Sequence, residues 1–234
     1  MLAVAVTLVL WPSSVMGGRS ERHTIGHSVR GRPIEATQRG DASARTSVVV
    51  VGCIHGNECA GRAILKALRA RAHPSDIDLW LVPTLNPDGA RAGTRQNARG
   101  VDLNRNFSKG WRPIGRPWDT YHSGSRPFSE PETRAARNFI RDLRPEITIW
   151  YHQQMSIVVK MKRHLRTQRR YARAVGLPLR DLDPLPGTAS RWQNSKWPRH
   201  LSFVVELPGG PMSDRAARRH ARAVLEAGRR WPSR

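Results

Sequence analysis

Acidic residues, aromatics and cysteines are all scarce in this chain, and each scarcity closes off a class of protein. Two cysteines in 234 residues cannot build the stapled framework of a small secreted domain. Cys53 and Cys59 also lack the CxxC spacing of a metal-binding pair, so the expectation is two small buried residues without a disulfide between them. Aromatics make up 6% and hydrophobic residues 38% of the chain, a polar composition. The apolar residues nevertheless gather into runs separated by Gly and Pro turns, which excludes wholesale disorder. There is no internal repeat and no long low-complexity stretch, which leaves one compact domain. No apolar run approaches the roughly 20 residues that a membrane span needs. The N-terminal run Leu2 to Trp11, followed by Pro12, Ser13, Ser14, Gly17 and Gly18, has the form of a secretory leader without its positive start. Residues 1–22 are accordingly expected to be a signal peptide or apolar N-terminal segment ahead of a domain over 23–234. Export to a periplasmic or extracellular location follows from that reading, with a cytoplasmic location as the alternative.

What is abundant is arginine. Forty Lys and Arg stand against 18 Asp and Glu, a formal charge of +22. Such a surface attracts polyanions. The basic residues are spread along the whole sequence with no zinc-finger or RNP-type signature, so nucleic acid is not the expected partner; two readings stay open, a solubilising surface rich in Arg because of a GC-rich coding sequence, and attraction to an anionic cell wall or membrane surface.

Local patterning alternates strand and helix. Ser47 to Cys53 (SVVVVGC) is a β-branched run suited to a strand buried on both faces. Ala60, Ile64, Leu65 and Leu68 then fall at helical spacing. Asp78 to Leu85 (DLWLVPTL) reads as a second strand ending in the turn Asn86, Pro87, Asp88, Gly89. Residues 90–126 show little periodicity and predict a long surface loop of the kind that carries function. Ser129 to Glu132 has capping-box spacing with Pro131 in the first turn, opening a helix to about Leu143. Further strands are expected at Glu146 to Tyr151 and Ser202 to Val205, a basic helical segment at Lys160 to Ala174, a Pro-rich loop at Leu177 to Gly187, and a closing helix from Ser213 to Gly228. The architecture implied is α/β: a single domain with a mixed, mostly parallel twisted sheet flanked by helices.

Three ionisable residues fall at the carboxyl ends of predicted strands, where open α/β sheets bind ligands: His55, His152 and Glu206. His55 and Glu58 form an HxxE pair, weak by itself because the spacing recurs by chance. A second His on another strand completes a His, Glu, His set suited to zinc with a coordination position left open. A free carboxylate beside such a site can accept a proton from attacking water. Glu206 fits that role, although taken alone it could equally be an acid paired with one of many arginines.

In this order along the chain stand HGNE (His55 to Glu58), LNPDG (Leu85 to Gly89), RQNARGVDLNRNF (Arg95 to Phe107), PFSEPET (Pro127 to Thr133), YHQQ (Tyr151 to Gln154) and VVELP (Val204 to Pro208). Together they resemble the zinc carboxypeptidase family of carboxypeptidase A type, over roughly residues 24–227. The resemblance implies one zinc ion held by His55, Glu58 and His152, with Glu206 as general base. It implies Arg95 as the group that polarises the scissile carbonyl. Asn104 and Arg105 would grip the free C-terminal carboxylate of a peptide substrate, a task suited to the planar guanidinium fork. One departure stands out: the family's mobile active-site tyrosine has no counterpart, since its stretch reads Asp183, Pro184, Leu185, Pro186, Gly187. The interval from His152 to Glu206 is also shorter than in digestive carboxypeptidases, which implies a more open pocket.

The compact motif set, with PGTASRWQN (Pro186 to Asn194), looks like the bacterial murein peptide amidases, which cut the γ-D-glutamyl bond to meso-diaminopimelate. Arg191 is then a candidate for the distal zwitterionic end of that residue, or simply one more surface arginine. Release of ordinary C-terminal amino acids is the second reading. Deacylation of N-acyl amino acids fits the full RQNARGVDLNRNF run less well. A non-catalytic basic binder of wall polymer or nucleic acid is the reading from another class.

Overall fold

The computed structural model describes residues 20–232; the apolar N-terminal run lies outside them. Eight strands form one sheet in the order β1-β2-β4-β3-β5-β8-β6-β7. Its centre is the parallel set β4 (Asp78–Val82), β3 (Ser47–Val51), β5 (Ile147–Gln153) and β8 (Leu201–Leu207). All five residues of β3 are buried, as expected of a strand covered on both faces. On one side β1 (Glu21–His27) and β2 (Pro33–Gly40) add an antiparallel hairpin. On the other, β6 (Ile157–Val159) runs antiparallel to β8 and carries the two-residue β7 (Leu179–Arg180).

Helices cover both faces. Ile64, Leu65 and Leu68 of α1 (Gly61–Arg69), Tyr171 and Val175 of α4 (Leu165–Val175), and Ala221 and Val224 of α6 (Asp214–Arg229) enter one apolar core with Val48, Val50 and Ile149. The opposite core gathers Val49, Val51, Trp150 and Phe107 under α3 (Pro131–Leu143) and α5 (Ala189–Lys196). The basic residues that are scattered in sequence converge here. Arg62, Lys66 and Arg69 on α1, Arg166, Arg169 and Arg173 on α4, and the five arginines of α6 are exposed on the outer side of these three helices.

Three local expectations change. Strands β5 and β8 run past their predicted ends, so His152 and Glu206 lie inside them, as register partners. The capping box does not form: Glu130 is the N-cap of α3, with no side-chain cap bond. Glu132 instead accepts from the Val29 amide at 3.0 Å and from Asn97 Nδ2 at 3.1 Å. Cys53 and Cys59 are joined by a disulfide, because the turn after β3 folds back and brings their Cα atoms to 4.7 Å, inside the span such a bond bridges. The irregular stretch contains the end of a short helix, α2 (Pro87–Ala92), and a 3-10 turn at Leu103–Arg105.

Candidate active site

The turn after β3 delivers His55 and Glu58 to the carboxyl edge of the sheet. Its approach to the next loop is close: a Cβ on Gly56 would stand 2.0 Å from the Gly89 carbonyl carbon, so HGNE and LNPDG are packed backbone to backbone. Asn86 accepts from the Gly89 amide at 2.8 Å and donates to the Gln96 carbonyl at 3.1 Å, fixing the segment that carries Arg95. Asn106 of the RNF triplet, fully buried, donates to Ser123 O and Arg126 O and accepts from Thr133 Oγ1. These bonds explain structurally why the RQNARGVDLNRNF and PFSEPET runs occur together: the second holds the first in place.

His55 Nδ1 and His152 Nδ1 are 3.2 Å apart, and each lies within 3.0 Å of Glu58 Oε2. Tetrahedral coordination with bonds of about 2.1 Å places donors about 3.3 Å from one another, so this triangle of two imidazole nitrogens and one carboxylate oxygen fits a zinc ion. His55 Nε2 faces Asp102 Oδ1 at 2.9 Å, the carboxylate orientation that metal-bound histidines commonly use. Asp102 is fully buried. Burial alone would raise its pKa, but His55, Arg95 and Arg105 together hold it well below the usual carboxylate range. Burial likewise opposes the charge on Glu58, and hydrogen bonds with His152 and His55 outweigh it.

Arg95 spans the two acids, donating through Nη1 to Glu58 Oε1 at 2.6 Å and through Nη2 to Asp102 Oδ2 at 2.9 Å. Asn104 accepts from the Ala189 amide at 3.0 Å. Arg105 is buried and donates to the Asn104 carbonyl at 2.8 Å. Gly187 passes directly over it: with φ +66°, a Cβ there would meet Arg105 O at 2.1 Å, so only glycine fits. Glu206 reaches the same cavity with Oε2 buried and unpartnered. Burial raises its pKa, the neighbouring His152 pulling the other way.

All of the expected site residues line one cavity of about 750 Å³. Arg191 stands at its outer wall, with Nη1 donating to the Leu185 carbonyl at 2.7 Å, so part of its guanidinium is already committed to the Pro-rich loop. Two residues escaped the sequence reading. Asp102 was visible inside DLNR, but its partner His55 is 47 positions away. Tyr121 comes from the irregular segment, 48% exposed, with the guanidinium carbons of Arg105 and Arg95 4.7 and 5.6 Å from its ring centre. A tyrosine therefore does line the pocket, from a different part of the chain than the stretch in which the family carries one.

Comparison with known proteins places this arrangement. Murein peptide amidase A of Escherichia coli strain K12 is 30% identical over 165 residues, 66% of this chain and 67% of that protein. Carboxypeptidase SOL1 of Arabidopsis thaliana is 32% identical over 141 residues, 53% of this chain but only 27% of the plant protein. The crystal structure of the murein-tripeptide amidase of Escherichia coli O157 superposes with a TM-score of 0.74 at 24% identity, covering 98% of this chain and 100% of that one, and so shares the fold. The sequence profile of the zinc carboxypeptidases (Peptidase_M14) matches residues 16–170, more than half of the chain, and the protein belongs to that family of hydrolases.

Proposed function

We propose that this protein is a zinc-dependent amidase that releases the C-terminal residue of murein peptides, cutting the γ-D-glutamyl bond to meso-diaminopimelate. The observation that carries the chemistry is the donor triangle of His55, Glu58 and His152 with the unpartnered Glu206 carboxylate beside it. His55, Glu58 and His152 would hold one Zn²⁺, which supplies Lewis acidity toward water and the scissile carbonyl. Glu206 takes a proton from the attacking water and returns it to the leaving nitrogen, and its raised pKa suits both directions of transfer. Arg95 uses three of its five N–H groups on Glu58, Asp102 and their surroundings, which leaves donors for the oxygen of the scissile carbonyl as charge develops. Asn104 and Arg105 bind the terminal carboxylate of the substrate, with the Tyr121 ring holding the guanidinium in place.

The murein substrate is supported by the amidase relative, of which two thirds is matched, and by the charged outer half of the cavity. An anionic wall polymer as a partner is supported by the arginine-rich face of α1, α4 and α6, and export by the apolar run in residues 1–22. Mass spectrometry after incubating the zinc-loaded protein with L-Ala-γ-D-Glu-meso-diaminopimelate and with a peptide of ordinary C-terminus tests the reading, Glu206→Gln serving as control. Free diaminopimelate from wild type alone is the expected result. Cleavage of the ordinary peptide only would make the protein a general carboxypeptidase, and cleavage of neither would overturn the hydrolase mechanism on peptides.

A further inference from the structure

The cavity continues well beyond the donor cluster. From Glu206 its floor follows β8 back to Val204 and Leu201, and its wall follows β6 forward through Val159 to Lys160 and Met161. Because β6 and β8 are antiparallel with Ile157 opposite Glu206, Lys160 lies three residues, about 10 Å, along the strand direction from that register. There its Nζ donates to Asp181 Oδ2 at 2.7 Å. The Lys160 and Asp181 side chains are 37% and 77% exposed. A pair so open to solvent contributes little to stability and can exchange partners with a ligand at small cost. On β6 and β8, between Lys160 and Glu206, the cavity lining includes the apolar side chains of Val159 and Val204, a length suited to methylenes.

We propose that Lys160 and Asp181 form the specificity site for the far end of the leaving residue, and that they select a side chain ending in a carboxylate beside an ammonium. The proposal rests on the reading of the cavity as a peptide-cleaving site and names what its outer half recognises. Lys160 meets the substrate carboxylate and Asp181 the ammonium, each opening its bond to the other. The rest of the outer wall favours the anion. It carries Lys109, Lys162, Arg163 and Arg191, and besides Asp181 the only acid lining it is Asp183. A side chain ending in an ammonium alone would enter a field of like charge. One ending in methyl would leave both charges without a substrate partner.

Three matched substrates separate the contributions: L-Ala-γ-D-Glu joined to meso-diaminopimelate, to L-lysine, which lacks only the distal carboxylate, and to 2-aminopimelate, which lacks only the distal amine. Wild type should lose about tenfold to a hundredfold in kcat/KM from diaminopimelate to lysine, the value of one charge-assisted hydrogen bond, and less to 2-aminopimelate. Lys160→Met should collapse the ratio between diaminopimelate and lysine substrates by about tenfold or more. Asp181→Asn should narrow the ratio between diaminopimelate and 2-aminopimelate. An equal loss on all three substrates in Lys160→Met, or no wild-type discrimination against lysine, overturns the proposal. Failure of the γ-glutamyl reaction itself is told apart by calorimetry of free diaminopimelate and free lysine with Glu206→Gln. Tighter binding of diaminopimelate, abolished by adding Lys160→Met, upholds the specificity site whichever bond is cut. Equal binding of the two, or no binding of either, overturns it.

Discussion

His152 and Glu206 are register partners on adjacent parallel strands, β5 and β8, so an imidazole placed to hold a metal and a carboxylate without a hydrogen bond on Oε2 come from neighbouring positions at the sheet's carboxyl edge. The pairing fixes their separation through backbone geometry, independent of any loop. It follows that Glu206 can change chemically without disturbing the donors. Glu206→Gln should keep the fold and the zinc content while kcat falls by about 10²- to 10⁴-fold, the usual contribution of a positioned base. His152→Ala should instead lose zinc by elemental analysis, and full zinc content in that variant would sink its assignment as a ligand.

Asp102 is fully buried and is not among the residues lining the cavity, yet it accepts from Arg95 and faces His55 Nε2 at 2.9 Å. Asp102→Asn keeps the shape but removes the charge that sets the imidazole's tautomer and orientation. Zinc affinity measured by chelator competition should drop about 10- to 100-fold. An unchanged affinity would mean that the contact is structural only.

The order of these contacts shows what can be read from sequence and what cannot. SVVVV, EITIWY and SFVVE announce buried strands through β-branched runs, and residues directly after or within them line the candidate site. HGNE and YHQQ were legible as candidate donors because His and Glu fall together at predicted strand ends, whereas the roles of Asn104 and Arg105 in DLNR came from the family resemblance alone. The hairpin β1–β2 was not, since its apolar content is small: four of the seven β1 residues are exposed, and β2 buries Ile34 and Ala36 among polar neighbours. Helix α5 has weak amphipathicity, with polar Ser190 and Gln193 buried alongside Trp192, so periodicity could not separate it from the loop. Tyr121 and the disulfide depend on where a turn or loop folds back, which composition does not encode. The basic face is the same kind of case: its arginines are distant in sequence and adjacent only because α1 and α4 both pack on α6.

That face predicts a salt-dependent association. Binding of the zinc-loaded protein to a phosphodiester wall polymer should weaken with a steep log–log salt slope, and the slope should shrink by nearly one for each phosphate contact removed. The charge-reversal pair Arg169→Glu and Arg222→Glu lies outside the cavity residues, so it should reduce polymer binding while turnover of a soluble tripeptide is retained. Polymer affinity equal to wild type in the double variant would show that the face does not bind.

On the same three-helix side, buried between α6 and the sheet, His220 Nδ1 lies 3.0 Å from Tyr171 OH, which is 2.6 Å from Tyr151 OH. Burial, helped by the charge of Arg219, lowers the pKa of His220 to about 4. Protonation would place a charge on this buried ring next to the positive charge of Arg219, so the ring stays neutral in the fold. In the unfolded chain the same side chain titrates near 6.5. Above that value both states are neutral and stability is undiminished; as pH falls from about 6.5 to about 4, the unfolded state gains a proton that the folded state refuses. The loss should reach about 3 kcal/mol at the acid end. Urea titrations of wild type and His220→Gln from pH 7 to 4 should therefore converge, with wild type losing more stability by roughly that amount. Parallel curves would mean that the buried imidazole is not the group responsible.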